Sequence, residues 1–147
     1  MANIKIGLAS DHAGFELKER IKRFLEKQGY SCVDYGTYSK ESVSYAFFGH
    51  QLANAVEKKD VSLGIAVCGS GNGINMALNK HQGIRSALCW NEDIAYYARA
   101  HNDANVLALP GRFISTETAK KMVTKFLNTP FEGGRHKQRI DAIPLNC

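Results

Sequence analysis

The sequence predicts an α/β fold, and three observations carry that prediction. Short apolar runs of strand length recur along the chain, and segments with apolar residues at helical spacing separate them. The run Leu63, Gly64, Ile65, Ala66, Val67 has no polar interruption. A strand reads this way when helices cover both faces of a parallel sheet.

Taken in order, residues 4–9 form the first expected strand, and Ser10, Asp11, His12, Ala13 and Gly14 lead out of it. Leu17, Ile21, Phe24 and Leu25 then mark one face of a helix that ends at Gly29. Residues 30–35 form the second strand, closed by Gly36, and residues 37–45 a polar loop. A helix carrying Leu52, Ala53 and Val56 runs to about Lys59, and residues 63–67 are the third strand. Residues 84–88 form the fourth strand, Ile94 to about Ala100 a helix, and residues 106–109 the fifth strand. Ala119, Met122, Val123, Phe126 and Leu127 trace the next helix, and a last one follows Pro130. The expected architecture is a three-layer α/β/α, Rossmann-like sandwich with a five-stranded parallel sheet and an extra C-terminal helix. Residues 1–147 form a single domain without repeat or linker.

Composition narrows the class. A hydrophobic content of 44% and a charged content of 22% suit a soluble globular chain. No apolar run approaches the length of a membrane span, and Met1 leading directly into a strand argues against a signal peptide. Cys32, Cys68, Cys89 and Cys147 make no CxxC pair and no metal spacing with the histidines, so a reduced, cytoplasmic chain without metal is expected. The net charge of +5 suits nucleic acid or a small anionic substrate. Lys18, Lys22, Lys27, Lys120, Lys121 and Lys125 lie at helical positions and read as solvated faces.

The chemistry centres on Cys68-Gly69-Ser70-Gly71-Asn72-Gly73. A thiol ends the third strand, three glycines follow, and Ile74, Ala77 and Leu78 continue at helical spacing. Glycines leave backbone N–H groups uncovered, and a helix start adds unpaired donors, so the stretch can cradle an enolate-like intermediate or a phosphate. Thiols beside helix starts ionise more readily than free ones. The plainer alternative is a glycine-rich turn with Cys68 as a small buried apolar residue. The dinucleotide fingerprint is rejected, because Gly69 and Gly71 fit its spacing but Ile74 takes the third glycine's place.

Other groups have two readings each. Asp11 and His12 at a strand end are a helix cap with a solvated His, or a ligand pair. If the first strand neighbours the third, they converge with Cys68, Gly69 and Ser70 outside the carboxyl ends of the strands, where open α/β sheets bind ligands. His101, Asn102 and Asp103 close the helix before strand five, where a His can simply complement the helix dipole. Arg112 follows Pro110 and Gly111 just after strand five. Gly133, Gly134, Arg135 and His136, with Arg139 one turn on, put two guanidinium groups within reach of one anion. A phosphate on a small molecule suits this cluster better than a nucleic-acid backbone, which needs a broader basic surface. His50 and His81 read as surface or packing residues.

Together, Asp11-His12-Ala13-Gly14, the Cys68–Gly73 stretch, Asn79-Lys80, Gly83-Ile84-Arg85, His101-Asn102-Asp103-Ala104-Asn105-Val106 and Gly133-Gly134-Arg135-His136-Lys137-Gln138-Arg139 resemble the type B ribose-5-phosphate isomerases, nearly end to end and in the same order. The resemblance implies an aldose–ketose isomerase without metal or organic cofactor. It also implies a homodimer, or a dimer of dimers, with sites at the subunit interface and neither nucleic acid nor membrane as partner. By matching motif, Cys68 moves the proton between C1 and C2, Ser70 assists, and the amides of Gly69, Gly71, Asn72 and Gly73 hold the enediolate oxygen. His101 opens the sugar ring with help from Asp11, Asn102 contacts substrate, and His12, Arg112, Arg135 and Arg139 hold the phosphate.

Two positions depart from the family pattern. Some members place a Glu just after Gly-Asn-Gly, where this chain has Ile74, so Cys68 has no stand-in. The loop that commonly reads Asp-Tyr-Pro is Ser44-Tyr45-Ala46. The expected reaction is ribose 5-phosphate to ribulose 5-phosphate in the pentose phosphate pathway. Allose 6-phosphate or galactose 6-phosphate is the alternative substrate. A non-catalytic phosphosugar- or nucleotide-binding module, or a small nucleic-acid binder, is the alternative class.

Overall fold

The computed structural model describes residues 4–145. The elements run β1 (Lys5–Ser10), α1 (Phe15–Lys27), β2 (Ser31–Asp34), α2 (Tyr45–Glu57), β3 (Leu63–Cys68), α3 (Asn72–Leu78) and β4 (Ser86–Leu88). They continue with α4 (Glu92–Ala100), β5 (Val106–Pro110), α5 (Thr116–Asn128) and α6 (Arg135–Asp141). The strands form one sheet in the order β2-β1-β3-β5-β4, and every neighbouring pair is parallel. The chain therefore reverses its direction of travel across the sheet between β1 and β3, as the convergence of Asp11 with Cys68 required. β5 inserts between β3 and β4, an order that follows from pairing across the sheet.

Alternation along each strand assigns the two faces. Ile6, Leu8, Ile65, Val67, Leu107 and Leu109 join Leu17, Ile21, Ala95, Met122 and Phe126 in one buried cluster, which places α1, α4 and α5 on that face. Ala9, Ala66, Cys68 and Val106 join Leu52, Val56, Ile74 and Leu78 in the other, under α2 and α3. The apolar run 63–67 is the central strand with both faces covered. Polar side chains fix the helix starts. Ser44, Asn91 and Ser115 accept from the amides of Ala46, Ile94 and Thr118 and so cap α2, α4 and α5.

Three expectations change. Lys18 is fully buried rather than solvated: its ammonium donates to both Asp34 oxygens, at 2.8 and 2.7 Å, and to Glu19 at 2.8 Å. A buried ammonium needs such partners, and helical spacing alone does not reveal them. The polar loop ends at Ser44 and Tyr45 already belongs to α2, because the Ser44 side chain supplies the cap. β4 is only three residues long, because the Arg85 amide turns to the Asn105 Oδ1 at 2.8 Å. Cys147 lies outside the described residues, and Cys32, Cys68 and Cys89 are free thiols. Among the described residues no helix is long and apolar enough to cross a membrane.

Candidate active site

Hydrogen bonds that run past the strand ends build the carboxyl edge of the sheet. The Asp11 amide donates to Val67 O at 3.3 Å, the Gly111 amide to Cys68 O at 2.9 Å and the Arg112 amide to Gly69 O at 2.9 Å. Asp11, Cys68 and Arg112 are thereby held side by side at the carboxyl ends of β1, β3 and β5. Cys68 is 4% exposed. Gly14 is required beside it, since a Cβ there would run into the Val67 carbonyl. The Asp11 Oδ1 accepts from the Gly14 amide at 3.0 Å and so closes the turn leading into α1, whose own N-cap is Gly14, without a side-chain cap. Its Oδ2 takes no hydrogen bond among the described residues. The Val43 amide donates to His12 Nδ1 at 3.2 Å. A backbone amide can only donate, so Nδ1 is the bare nitrogen and the ring proton of His12 sits on Nε2.

Gly71 turns the chain from β3 into α3 at φ +80°, and a Cβ there would lie 2.5 Å from Leu88 Cδ1. The turn leaves the amides of Gly69, Ser70, Gly71 and Gly73 without acceptors among the described residues, while the Asn72 amide donates to Ser70 Oγ at 3.2 Å. The Arg112 side chain lies against Gly69, its guanidinium nitrogen 3.3 Å from where a Cβ would stand. The Tyr45 ring covers Gly73: a Cβ there would run into its Cζ, so any side chain would have to push the partly exposed ring aside. The Ser44-Tyr45-Ala46 stretch, which departs from the family pattern in the sequence, thus walls the cradle through a contact between α2 and α3 that the sequence does not report. Ile74 is fully buried and faces the core, so no carboxylate stands near Cys68 in its place.

His101, Asn102, Arg135 and Arg139 are not at this edge. The 101–105 segment precedes β5, and its Asn105 carbonyl accepts from Gly64, at the start of β3. Cys68 is four residues further along that strand, roughly 13 Å away at the usual rise. The segment is firmly held. Arg85 Nε donates to the Asn102 and Asp103 carbonyls at 3.1 and 3.0 Å, and Arg99 to Asp103 Oδ1 and the Ala104 carbonyl, both at 2.8 Å. The Glu132 amide donates to Ala100 O at 2.9 Å, which brings the approach to α6 to the same edge. One chain thus holds Asp11, His12, Cys68, Gly69, Ser70, Gly71, Asn72, Gly73 and Arg112 at the carboxyl edge, and His101, Asn102, Arg135 and Arg139 at the amino edge.

At the amino edge the His101 and His136 rings stack, with centroids 4.1 Å apart and planes at 15°. Their Nε2 atoms lie 3.6 and 3.5 Å from the same Glu132 Oε1. Burial, the neighbouring His101 and Arg135 hold the His136 pKa below the usual imidazole value, against the pull of Glu132. Sequence reading missed this cluster because His101 comes from a segment far from Glu132 and His136 in the chain. His50 and His81 form a separate surface pair: His50 Nδ1 stands 2.8 Å from His81 Nε2, and His81 Nδ1 stands 3.1 Å from Glu57. A groove of about 390 Å³ opens beside His12 and Gly111. A larger one, about 510 Å³, lies between Phe24 and the lysines of α5 and touches none of the candidate residues.

The carboxyl edge can therefore take a proton from carbon beside free N–H donors, and the amino edge offers imidazole and guanidinium groups. Residues 6–143 match the family described as Ribose/Galactose Isomerase. The chain is 43% identical over 139 residues to ribose-5-phosphate isomerase B of Escherichia coli, covering 95% of this chain and 93% of that one. Its fold is similar to a ribose 5-phosphate isomerase of Thermotoga maritima, with TM-score 0.95 and 47% identity over 97% of this chain and 98% of that chain. It is also similar to ribose-5-phosphate isomerase B of Mycoplasma genitalium with bound ribulose-5-phosphate, with TM-score 0.91 and 41% identity over 96% and 94% of the two chains. By motif order, fold and near full-length similarity, this chain belongs to the ribose/galactose isomerase family.

Proposed function

We propose that this protein interconverts ribose 5-phosphate and ribulose 5-phosphate through an enediolate, and that two copies of the chain build each site. The observation that carries the chemistry is the juxtaposition of the Cys68 thiol with the acceptor-free amides of Gly69, Ser70, Gly71 and Gly73. The substrate follows from family membership and from the relative that binds ribulose-5-phosphate.

In the reaction, Cys68 as thiolate takes the proton from C2 of the open-chain aldose. Negative charge grows on the C1 oxygen, where the amides receive it. The proton returns to C1 and the ketose forms. Ser70 lies beside the cradle and relays protons between the two oxygens. Asp11, through its free Oδ2, and the partner subunit's His101 open the furanose ring, and the partner subunit's Asn102 orients it. The phosphate lies between His12 Nε2–H and Arg112 on one side and the partner subunit's Arg135 and Arg139 on the other. That remote contact fixes C1 and C2 over the thiol, so phosphate binding lowers the barrier to proton transfer. The separation of the two residue sets to opposite sheet edges supports a homodimer with two interfacial sites. Free thiols and an ordinary globular surface support a cytoplasmic enzyme of the pentose phosphate pathway.

A second reading within the same chemistry is a six-carbon sugar phosphate, favoured by Ser44 and Ala46 standing where the family's loop commonly has Asp and Pro. The deciding assay is ketose formation from ribose 5-phosphate by wild type and Cys68→Ala in the presence of a chelator. Turnover by wild type and a loss of about a hundredfold or more in Cys68→Ala, with substrate still bound, is expected. Equal turnover by both removes Cys68 as the base. Silence in both, with turnover of allose or galactose 6-phosphate, moves the substrate.

A further inference from the structure

The amino edge holds more metal-binding chemistry than the proposed reaction uses. His101 ends α4, Glu132 lies in the segment after α5, and His136 lies in α6. His136 is 6% exposed, and its Nε2 is buried without a hydrogen-bond partner among the described residues. The Glu132 Oε1 stands 3.6 Å from one Nε2 and 3.5 Å from the other, and the three ligand atoms lie within 4.8 Å of one another. Around an ion with bonds of about 2.1 Å and tetrahedral angles, neighbouring ligand atoms stand roughly 3.4 Å apart. Nitrogen ligands exclude magnesium and calcium as the natural occupants and suit a borderline ion such as zinc.

We propose that His101, Glu132 and His136 form a binding site for a divalent transition-metal ion of the zinc type, which leaves one coordination position open. The rings are stacked only 15° from parallel, so their Nε2 lone pairs lie in separate planes and cannot meet on one ion as they stand. One ring turns on binding. His136 is packed in place, whereas His101 is a third exposed at the helix end and is the ring that moves. Glu132 is about half exposed and follows. The ion takes the nitrogen that would otherwise exchange a proton with the sugar. Zinc thus inhibits an enzyme that needs no metal. This last step alone rests on the functional reading above.

The test uses the full-length, metal-free protein. Zinc binding is measured by competition with a chromophoric chelator, and cobalt(II) binding by visible absorption, for wild type, His136→Ala and Glu132→Gln. One ion per chain is expected, with a cobalt spectrum free of thiolate charge transfer. Each variant should lose more than the ~10–100-fold that removal of an outer-sphere partner costs. Glu132→Gln alters a half-exposed side chain and keeps the test decisive if His136→Ala does not fold. No binding, unchanged affinity in a folded variant, or a thiolate spectrum overturns the site. Zinc should also abolish turnover and a chelator restore it. Binding without inhibition leaves the site, overturns the inhibitory step and removes His101 from ring opening. Failure of the metal-free protein to isomerise any sugar phosphate overturns the functional reading while the binding result stands.

Discussion

Replacing Gly71 by alanine probes the turn that carries the anion cradle, and the structure supplies each term of the cost. Gly71 has φ +80°, where a residue with a Cβ loses about 1–2 kcal/mol. Its Cβ would also lie 2.5 Å from Leu88 Cδ1 and 3.1 Å from the Leu109 carbonyl carbon. Leu88 can shift a little, but the Leu109 backbone belongs to β5 and cannot. Overpacking of this kind costs about 1–3 kcal/mol. The sum is about 2–5 kcal/mol, or on the order of 5–15 °C in Tm for a chain of this length. Gly29 is the matched control, with φ +93° and nothing within 4 Å of its Cβ position. Gly29→Ala therefore bears the backbone term alone, about 1–2 kcal/mol. Urea unfolding of both variants, followed by circular dichroism and fluorescence, separates the two terms. Equal destabilisation by both would refute the claim that the turn is pressed against β4 and β5. So would a Gly71→Ala protein as stable as wild type.

Two further perturbations follow from charge and burial. Lys18→Met removes the buried ammonium from Asp34 and costs about 3 kcal/mol in urea unfolding, at the low end for a broken buried pair because Lys22 and the Gly36 amide remain. Burial alone would raise the Asp34 pKa, but hydrogen bonds from Lys18, the Gly36 amide and Lys22 outweigh it and hold the carboxyl below its usual value. Its contribution is therefore full above the unfolded pKa of about 3.9 and is lost as pH falls through the folded value. Lys18→Met should accordingly flatten the acid limb of the stability–pH curve, and an unchanged limb would contradict the pairing. Burial pushes Cys89 up to about 12 and Cys32 up to about 11. Both thiols stay protonated at neutral pH and alkylate slowly. Inactivation by iodoacetamide should then track label at Cys68 by peptide mapping, with protection by inorganic phosphate. Full activity after complete Cys68 labelling would contradict its role as base.

The layers and strand count were legible because alternation and apolar runs are local signals. Convergence of Asp11 with Cys68 was legible only on condition that β1 and β3 are neighbours, since strand order arises from pairing across the sheet. The insertion of β5 between β3 and β4 had no local signature. Lys18 was misread because its partner Asp34 comes from another element. The division of the site between two edges had a signal in the chain itself. In a parallel sheet His101 and Asn102, which precede β5, and Arg112, which follows it, must lie at opposite ends of one strand. Motif matching gathers these residues into one list, and strand polarity separates them. The Tyr45 wall and the His101–Glu132–His136 cluster rest on contacts between distant segments, which no spacing rule reports.

That separation makes subunit complementation the most direct test of a site shared between two copies. Cys68→Ala and His101→Ala proteins, each inactive alone, are mixed under conditions that exchange subunits, with exchange verified by mass-tagged chains. In a symmetric dimer, about half of the exchanged molecules are mixed, and each of these has one site with both native residues. Recovery of about a quarter of wild-type turnover is the predicted result. If the chains exchange and the mixture stays as silent as its parents, each site is built within one chain, and the account of opposed edges is wrong.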